Sequence, residues 1–276
     1  MNVPNHPESN AAEEPDATTA FQRSVAAGRA RLERSWSALL ATGFVGGIDV
    51  GVGVLALLII EAATGSRLLG ALGFPIGFIA IALARSELFT ENFLVPVAPV
   101  VARKSSLRAL LRLWIGTAIM NLVGGWIFTG LVIVALPDLR QAAIDAGVHF
   151  AALGIGWRSF TLGVLAGAVV TIMTWMQQGS ETELGRVVAA TVAAFVLAAA
   201  PLNHVIVVSL EVFAALHAGA PFGYTAWLAM AAWATLSNIV GGMLLVTVVR
   251  FVQVGPRRIE RERLRRDERR GGPPAC

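Results

Sequence analysis

The chain is short of charge, thiols and lysine. Only 14% of its 276 residues are Asp, Glu, Lys or Arg, where a soluble domain carries about a quarter. Lysine occurs once, as Lys104, and cysteine once, as Cys276 at the last position. A single cysteine excludes an internal disulfide framework and leaves no thiolate pair for zinc. The histidines, His6, His149, His204 and His217, are scattered without ligand spacing, so neither a metal nor another cofactor is expected. Gly-x-Ser-x-Gly and His-Glu-x-x-His strings are missing. The chain therefore does not read as an enzyme, although Ser209 closely follows His204. Residues 1–20 are acidic, polar and Pro-containing, without the apolar core of a cleavable signal, and are expected to be disordered.

What the chain has instead is apolar length, with 55% of its residues hydrophobic. No charged residue occurs between Arg158 and Glu181, between Arg186 and Glu211, or between Glu211 and Arg250. Each gap can hold a membrane helix, which needs about 20 apolar residues. Six spans are expected in an all-α membrane protein, at 37–60, 68–101, 107–136, 159–176, 187–216 and 226–254. The second and fifth are broken. Residues 21–36 suit a helix lying at the membrane surface, and 259–270 a charged surface helix. The resulting division is a cytoplasmic segment 1–36, a transport domain 37–254 and a basic cytoplasmic tail 255–276. Arg23, Arg29, Arg31 and Arg34 precede the first span. Arg103, Lys104, Arg108 and Arg112 follow the second, and eight arginines crowd 257–270. The other loops carry Arg67, Arg140 and Arg158 against Glu61, Asp138 and Asp145. The positive-inside rule then places both termini in the cytoplasm of a plasma (inner) membrane protein. Beside a membrane helix the basic tail suits anionic lipid rather than nucleic acid.

The chain also repeats itself. Asn121-Leu122-Val123-Gly124-Gly125 returns as Asn238-Ile239-Val240-Gly241-Gly242. Some thirty residues before each copy, an apolar stretch is interrupted, first by Leu88-Phe89-Thr90-Glu91-Asn92-Phe93-Leu94-Val95-Pro96 and then by Ala200-Pro201-Leu202-Asn203-His204. Three spans per half, joined by short loops, imply an inverted 3+3 repeat. Paired broken helices are the best sequence pointer to a substrate pathway. Backbone breaks at membrane depth require protein or water to satisfy the freed groups, and the half-helix N-termini they create favour anions.

Glu87-Leu88-Phe89-Thr90-Glu91-Asn92, the basic stretch from Arg103, the paired Asn-x-x-Gly strings and Asn203-His204 together resemble the formate/nitrite transporter family. The resemblance covers residue 39 to about residue 251. It implies six spans in an aquaporin-like arrangement and a homopentamer with one pore per subunit. The implied substrates are small monovalent weak-acid anions such as formate, nitrite or hydrosulfide, often moving with a proton. By motif match Thr90 faces the central histidine, His204, between two hydrophobic constrictions. Leu88 and Phe89 lie near one, Leu197 or Leu202 near the other, and Asn121 and Asn238 support the broken helices. The chain departs from the family pattern at three points. Glu91 replaces the usual glycine after Leu-Phe-Thr, and Leu202 stands where an aromatic is common before the Asn-His pair. The basic residue near the start of the fourth span has Arg158 as its nearest counterpart.

The mechanistic expectation is that an anion drawn inward by amide dipoles and basic residues is protonated at the constriction and crosses as the neutral acid, because a bare charge in hydrocarbon is costly. The proton comes from His204 or from water that His204 influences. Glu91 reads equally as a pore carboxylate or as an acid capping the following half-helix. Asp49 and Glu211 read as buried hydrogen-bonding groups or as proton sites. The alternative function is an aquaporin-like channel for a neutral solute, although no Asn-Pro-Ala string occurs at either break.

Overall fold

The computed structural model describes residues 17–264, which are helical and contain no β-strand. Helix α1 (Ala17–Leu32) leads into α2 (Trp36–Thr64), which Ser35 caps by accepting from the Ala38 N–H. Gly65, at φ 65°, ends α2 in the left-handed region that glycine reaches without strain. The second expected span is divided into α3 (Arg67–Gly73), α4 (Pro75–Ala84), a 3-10 turn at Phe89–Phe93 and α5 (Val97–Val101). Helix α6 (Leu107–Ala135) is unbroken. It is followed by α7 (Arg140–Leu153), α8 (Trp157–Gly179), α9 (Glu183–Ala199) and α10 (Val205–Ala218). Helix α11 (Tyr224–Ile239) runs through a π-helical stretch, Val240–Val248, into α12 (Val249–Val254), and α13 (Pro256–Leu264) closes the described chain.

Five stretches are long and apolar enough to cross a bilayer: Trp36–Thr64, Arg67–Ala84, Leu107–Ala135, Trp157–Gly179 and Tyr224–Val254. Phe89–Val101 and Val205–Ala218 are shorter apolar helices. Leu131, Val134, Leu184, Leu244 and Val252 are among many large apolar residues left on the outside. Water would penalise such a surface, whereas hydrocarbon solvates it.

Glycines set the distance between helices. A Cβ on Gly47 would collide with the backbone carbonyl of Asn121, and one on Gly167 with that of Asn238. Gly124 lies in the same way against the Phe44 carbonyl, and Gly241 against that of Val164. The contacts of α2 with α6 thus recur between α8 and the segment joining α11 to the π stretch. The two asparagine strings sit at equivalent places in two similarly packed helix pairs.

Several expectations require correction. Residues 17–20 belong to α1, and residues 1–16 lie outside the described chain. The helix expected over 21–36 stops at Leu32, and Trp36 starts α2. It is also more than a surface helix, because Phe21, Val25 and Leu32 are buried and Phe21 meets Phe251 edge-on at 5.3 Å. The second stretch carries a further interruption at Pro75, which lacks an amide proton to continue the helix ladder. Residues 140–153, read as loop, form α7, which packs against α10. Of the surface helix expected over 259–270, residues 259–264 fall in α13, while 265–270 lie outside the described chain. Helix α13 is tied back to the end of α5 and the loop after it, through a Lys104–Glu262 ion pair and through Arg263, which donates to the Val101 carbonyl at 3.0 and 3.1 Å.

Gly167→Ala is expected to lower stability by about 1–3 kcal/mol, because backbone must move to admit the methyl group. Thermal unfolding of the detergent-solubilised protein measures this. An unchanged midpoint would contradict the packing described.

Candidate functional site

Each helix break is held by one buried asparagine. The Asn121 side chain accepts from the Phe89 N–H at 2.9 Å and donates to the carbonyls of Gly43 at 2.7 Å and Glu87 at 2.8 Å. The Asn238 side chain accepts from the Val205 N–H at 2.9 Å and donates to the carbonyls of Gly163 and Asn203, each at 2.9 Å. An extended segment thus presents one carbonyl and one amide, two residues apart, to each asparagine. These are groups that a broken helix would otherwise leave unpaired in the membrane. The next amide in each half, that of Thr90 and that of Ile206, has no acceptor among the described residues.

His204 stands at the N-terminus of α10, completely buried. Its Nδ1 accepts the Val207 N–H at 3.2 Å, capping the helix. Only an unprotonated nitrogen can accept, so the proton of the neutral ring is on Nε2. Nε2 lies 2.6 Å from Thr90 Oγ1, and in this tautomer it donates to the hydroxyl. The Thr90 hydroxyl proton is then left without an acceptor among the described residues. This contact joins the first break to the second across 114 residues of sequence. Phe78 lies beside the imidazole, with ring centroids 6.4 Å apart.

Apolar side chains surround the pair. Leu88, Phe89, Leu197 and Leu202 are all buried in the same core. The Phe89 ring meets Phe93 at 5.1 Å and Trp114 at 6.4 Å, and Leu202 N–H donates to the Leu197 carbonyl at 3.1 Å. Asn203 is buried on the other side of the break, where its side-chain amide donates to the Ser159 carbonyl at 3.1 Å. Ser209 takes no part with His204, and its hydroxyl accepts from the Trp227 indole at 3.0 Å.

The charged groups are arranged in two clusters. Glu87 is buried against Arg34 at 2.5 Å and Arg31 at 3.3 Å, and it accepts from the Asn92 amide at 3.1 Å. Arg31 also donates to the Asn92 side-chain oxygen at 3.0 Å, so α1 is clasped to the first break. Glu211, on α10, is gripped by both terminal nitrogens of Arg67 at 3.0 Å, and Arg67 also approaches Glu61 at 3.6 Å. Its guanidinium lies 5.5 Å over the Phe150 ring, a cation–π contact. Asp49 accepts from the Ser86 hydroxyl at 2.5 Å. Arg158 is exposed on the first turn of α8. Glu91 is buried beside Thr90, and its carboxyl makes no hydrogen bond or ion pair with a described residue.

The sequence reading missed Arg31, Arg34 and Arg67 as partners. The available signal was an acid inside an apolar stretch. Glu87 and Glu211 each need a cation to be buried, and arginines stand just before the first and second spans.

Asn238→Ala removes a side chain that makes three hydrogen bonds and leaves the Val205 amide unpaired. A stability loss on the order of 3 kcal/mol is expected, measured by thermal unfolding in detergent against Asn238→Asp, which keeps the acceptor. Equal midpoints for wild type and Asn238→Ala would contradict the bracing role.

A family model described as Formate/nitrite transporter matches residues 18–252. The Escherichia coli (strain K12) inner membrane protein YfdC is 27% identical over 238 residues, covering 82% of this chain and 75% of its own. The Bacillus thuringiensis formate channel BtFdhC is 24% identical over 238 residues, with 79% and 87% covered. A solved structure of a pentameric formate channel with formate bound superposes with a TM-score of 0.66 at 19% identity, over 79% of this chain and 96% of that one. The fold is therefore that of the formate channels. With a family match extending through both helix breaks and nearly all the described helices, the chain is an integral membrane protein that belongs to the formate/nitrite transporter family.

Proposed function

We propose that this protein conducts small monovalent weak-acid anions, formate or nitrite or an anion of similar size, with a pH-dependent flux linked to protons through His204. The observation that carries the reading is the Thr90–His204 hydrogen bond, which unites the two helix breaks inside apolar walls. Around it lie uncharged donors suited to an anion: the Thr90 hydroxyl, whose proton the imidazole leaves unused, and the amides of Thr90 and Ile206. Such donors offset the loss of water without an ion pair that would trap the substrate. Leu88 and Phe89 on one side, and Leu197 or Leu202 on the other, form the constrictions. Passage through them favours the protonated, neutral acid. The proton comes from water that the neutral His204 polarises, or from His204 after its ring has first taken a proton from the entry side, and the acid releases it beyond.

In this reading the transport unit is 37–254, with six spans in an inverted 3+3 repeat and broken second and fifth helices. The matching roles of Asn121 and Asn238 support the repeat. Both termini face the cytoplasm, in line with the arginines before the first span and beyond the last. The assembly is a homopentamer with one pore per subunit, by likeness to the pentameric formate channel.

Uptake of formate, nitrite, hydrosulfide, acetate and lactate into proteoliposomes at two pH values tests the proposal, with stopped-flow water permeability as the control for a neutral-solute channel. Anion uptake above that of empty liposomes is expected, rising toward acid pH. His204→Phe is expected to lower it at least about tenfold, or to remove its pH dependence. Unchanged flux and pH profile in His204→Phe would overturn the proton role.

A further inference from the structure

Glu91 is a buried acid that the site described above leaves unused. It follows Thr90 on the 3-10 turn and is 4% exposed. Its carboxyl oxygens have no partner among the described residues, yet they are not sealed in protein in the way that Glu61 Oε2, which makes no hydrogen bond, is. The contrast with Glu87, four residues earlier, is sharp, because Glu87 is neutralised by two arginines and held by Asn92. The charges acting on Glu91 are Arg31 from α1 and Glu87 from its own loop, which oppose each other. Arg34, in the link between α1 and α2, is engaged by Glu87. The other elements packed on the turn, α6, α8, α11 and the π stretch, bring no acid and no histidine. Their ionisable residues are Arg108, Arg112, Arg158 and Tyr224, near the starts of their helices. His204 reaches the turn through Thr90.

We propose that the Glu91 carboxyl controls anion access to Thr90 from the α1 side. Ionised, it repels an anion in a poorly screened passage. On binding one proton from water on that side it becomes neutral, and its O–H donates to the arriving anion. The proposal rests on the anion-transport reading. It also separates two pH effects, one at the α1-side approach and one at the central histidine.

The test is formate uptake by proteoliposomes of the full chain, at about pH 5 and about pH 8, for wild type, Glu91→Gln and Glu91→Asp. Glu91→Gln is expected to raise uptake at the higher pH about tenfold and to leave the lower-pH value near wild type. Glu91→Asp, which keeps the carboxyl, is expected to retain the wild-type profile. A profile for Glu91→Gln parallel to that of wild type would overturn the access role alone. A wild type that passes none of the anions overturns the transport reading and this one with it. Should Glu91→Gln fail to assemble, infrared difference spectra of the wild type on adding formate decide. Growth of a protonated-carboxyl band supports the proposal, and an unchanged spectrum overturns it.

Discussion

A bilayer offers no water to a broken helix, so every backbone group freed at a break must find a partner inside the protein. Asn121 and Asn238 meet this constraint. Each carries a carbonyl oxygen and an amide on one short side chain. It can therefore accept from the amide that starts the new helical turn and donate to the carbonyl of the extended segment before it. The third bond from each asparagine goes to a glycine carbonyl on the neighbouring helix, Gly43 or Gly163. That bond requires close helix approach, and bare glycines at 47 and 167 allow it. Small residues and buried amides are two parts of one device. Without the glycines the asparagines would not reach, and without the asparagines the breaks would be left unsatisfied.

Once the breaks are held, the chemistry follows from what they present. The second break ends on a histidine that caps its own helix, which orients the ring and assigns the tautomer. The first break ends on a threonine turn whose hydroxyl meets that ring. A neutral donor set within leucine and phenylalanine walls distinguishes this centre from the charged clusters at either side of it. There Glu87 with Arg31 and Arg34, and Glu211 with Arg67, are ion pairs that hold elements together. Buried pairs of this kind are costly to break and add little net stability, which suits them to fixing register. The Arg31–Glu87–Asn92 cluster fixes α1 against the first break, and Arg67–Glu211 fixes the start of α3 against α10.

Much of this was legible in the sequence. Apolar runs without charge, the repeated asparagine string and the two interruptions located the helices and the breaks, because a membrane restricts both composition and where a helix can stop, while Thr90 and His204 were singled out by the family resemblance. Helix α7 was not legible. Its stretch is short and moderately polar, with Arg140 and Asp145, and it reads as a loop until α10 is there to cover it. The π-helical stretch was equally hidden, since its apolar pattern also fits an α-helix. Packing of Gly241 against the Val164 backbone and of Gly242 against Phe93 accompanies the widened turn. Asp49, Glu91 and Glu211 were each left with two readings because sequence spacing does not tell which acid has a partner. The fold pairs Asp49 with Ser86 and Glu211 with Arg67, and it leaves Glu91 without a partner among the described residues.

By itself the sequence determined that this is a helical membrane protein with two interrupted helices marked by matching asparagines. Those features are local, and hydrocarbon penalises every charge and every unpaired amide along the chain. Only the tertiary structure decided which acids are neutralised, which nitrogen of His204 carries the proton and that Thr90 comes within hydrogen-bonding distance of it. Those outcomes depend on distances of a few ångströms between residues a hundred positions apart, set by how closely the glycine-lined helices pack.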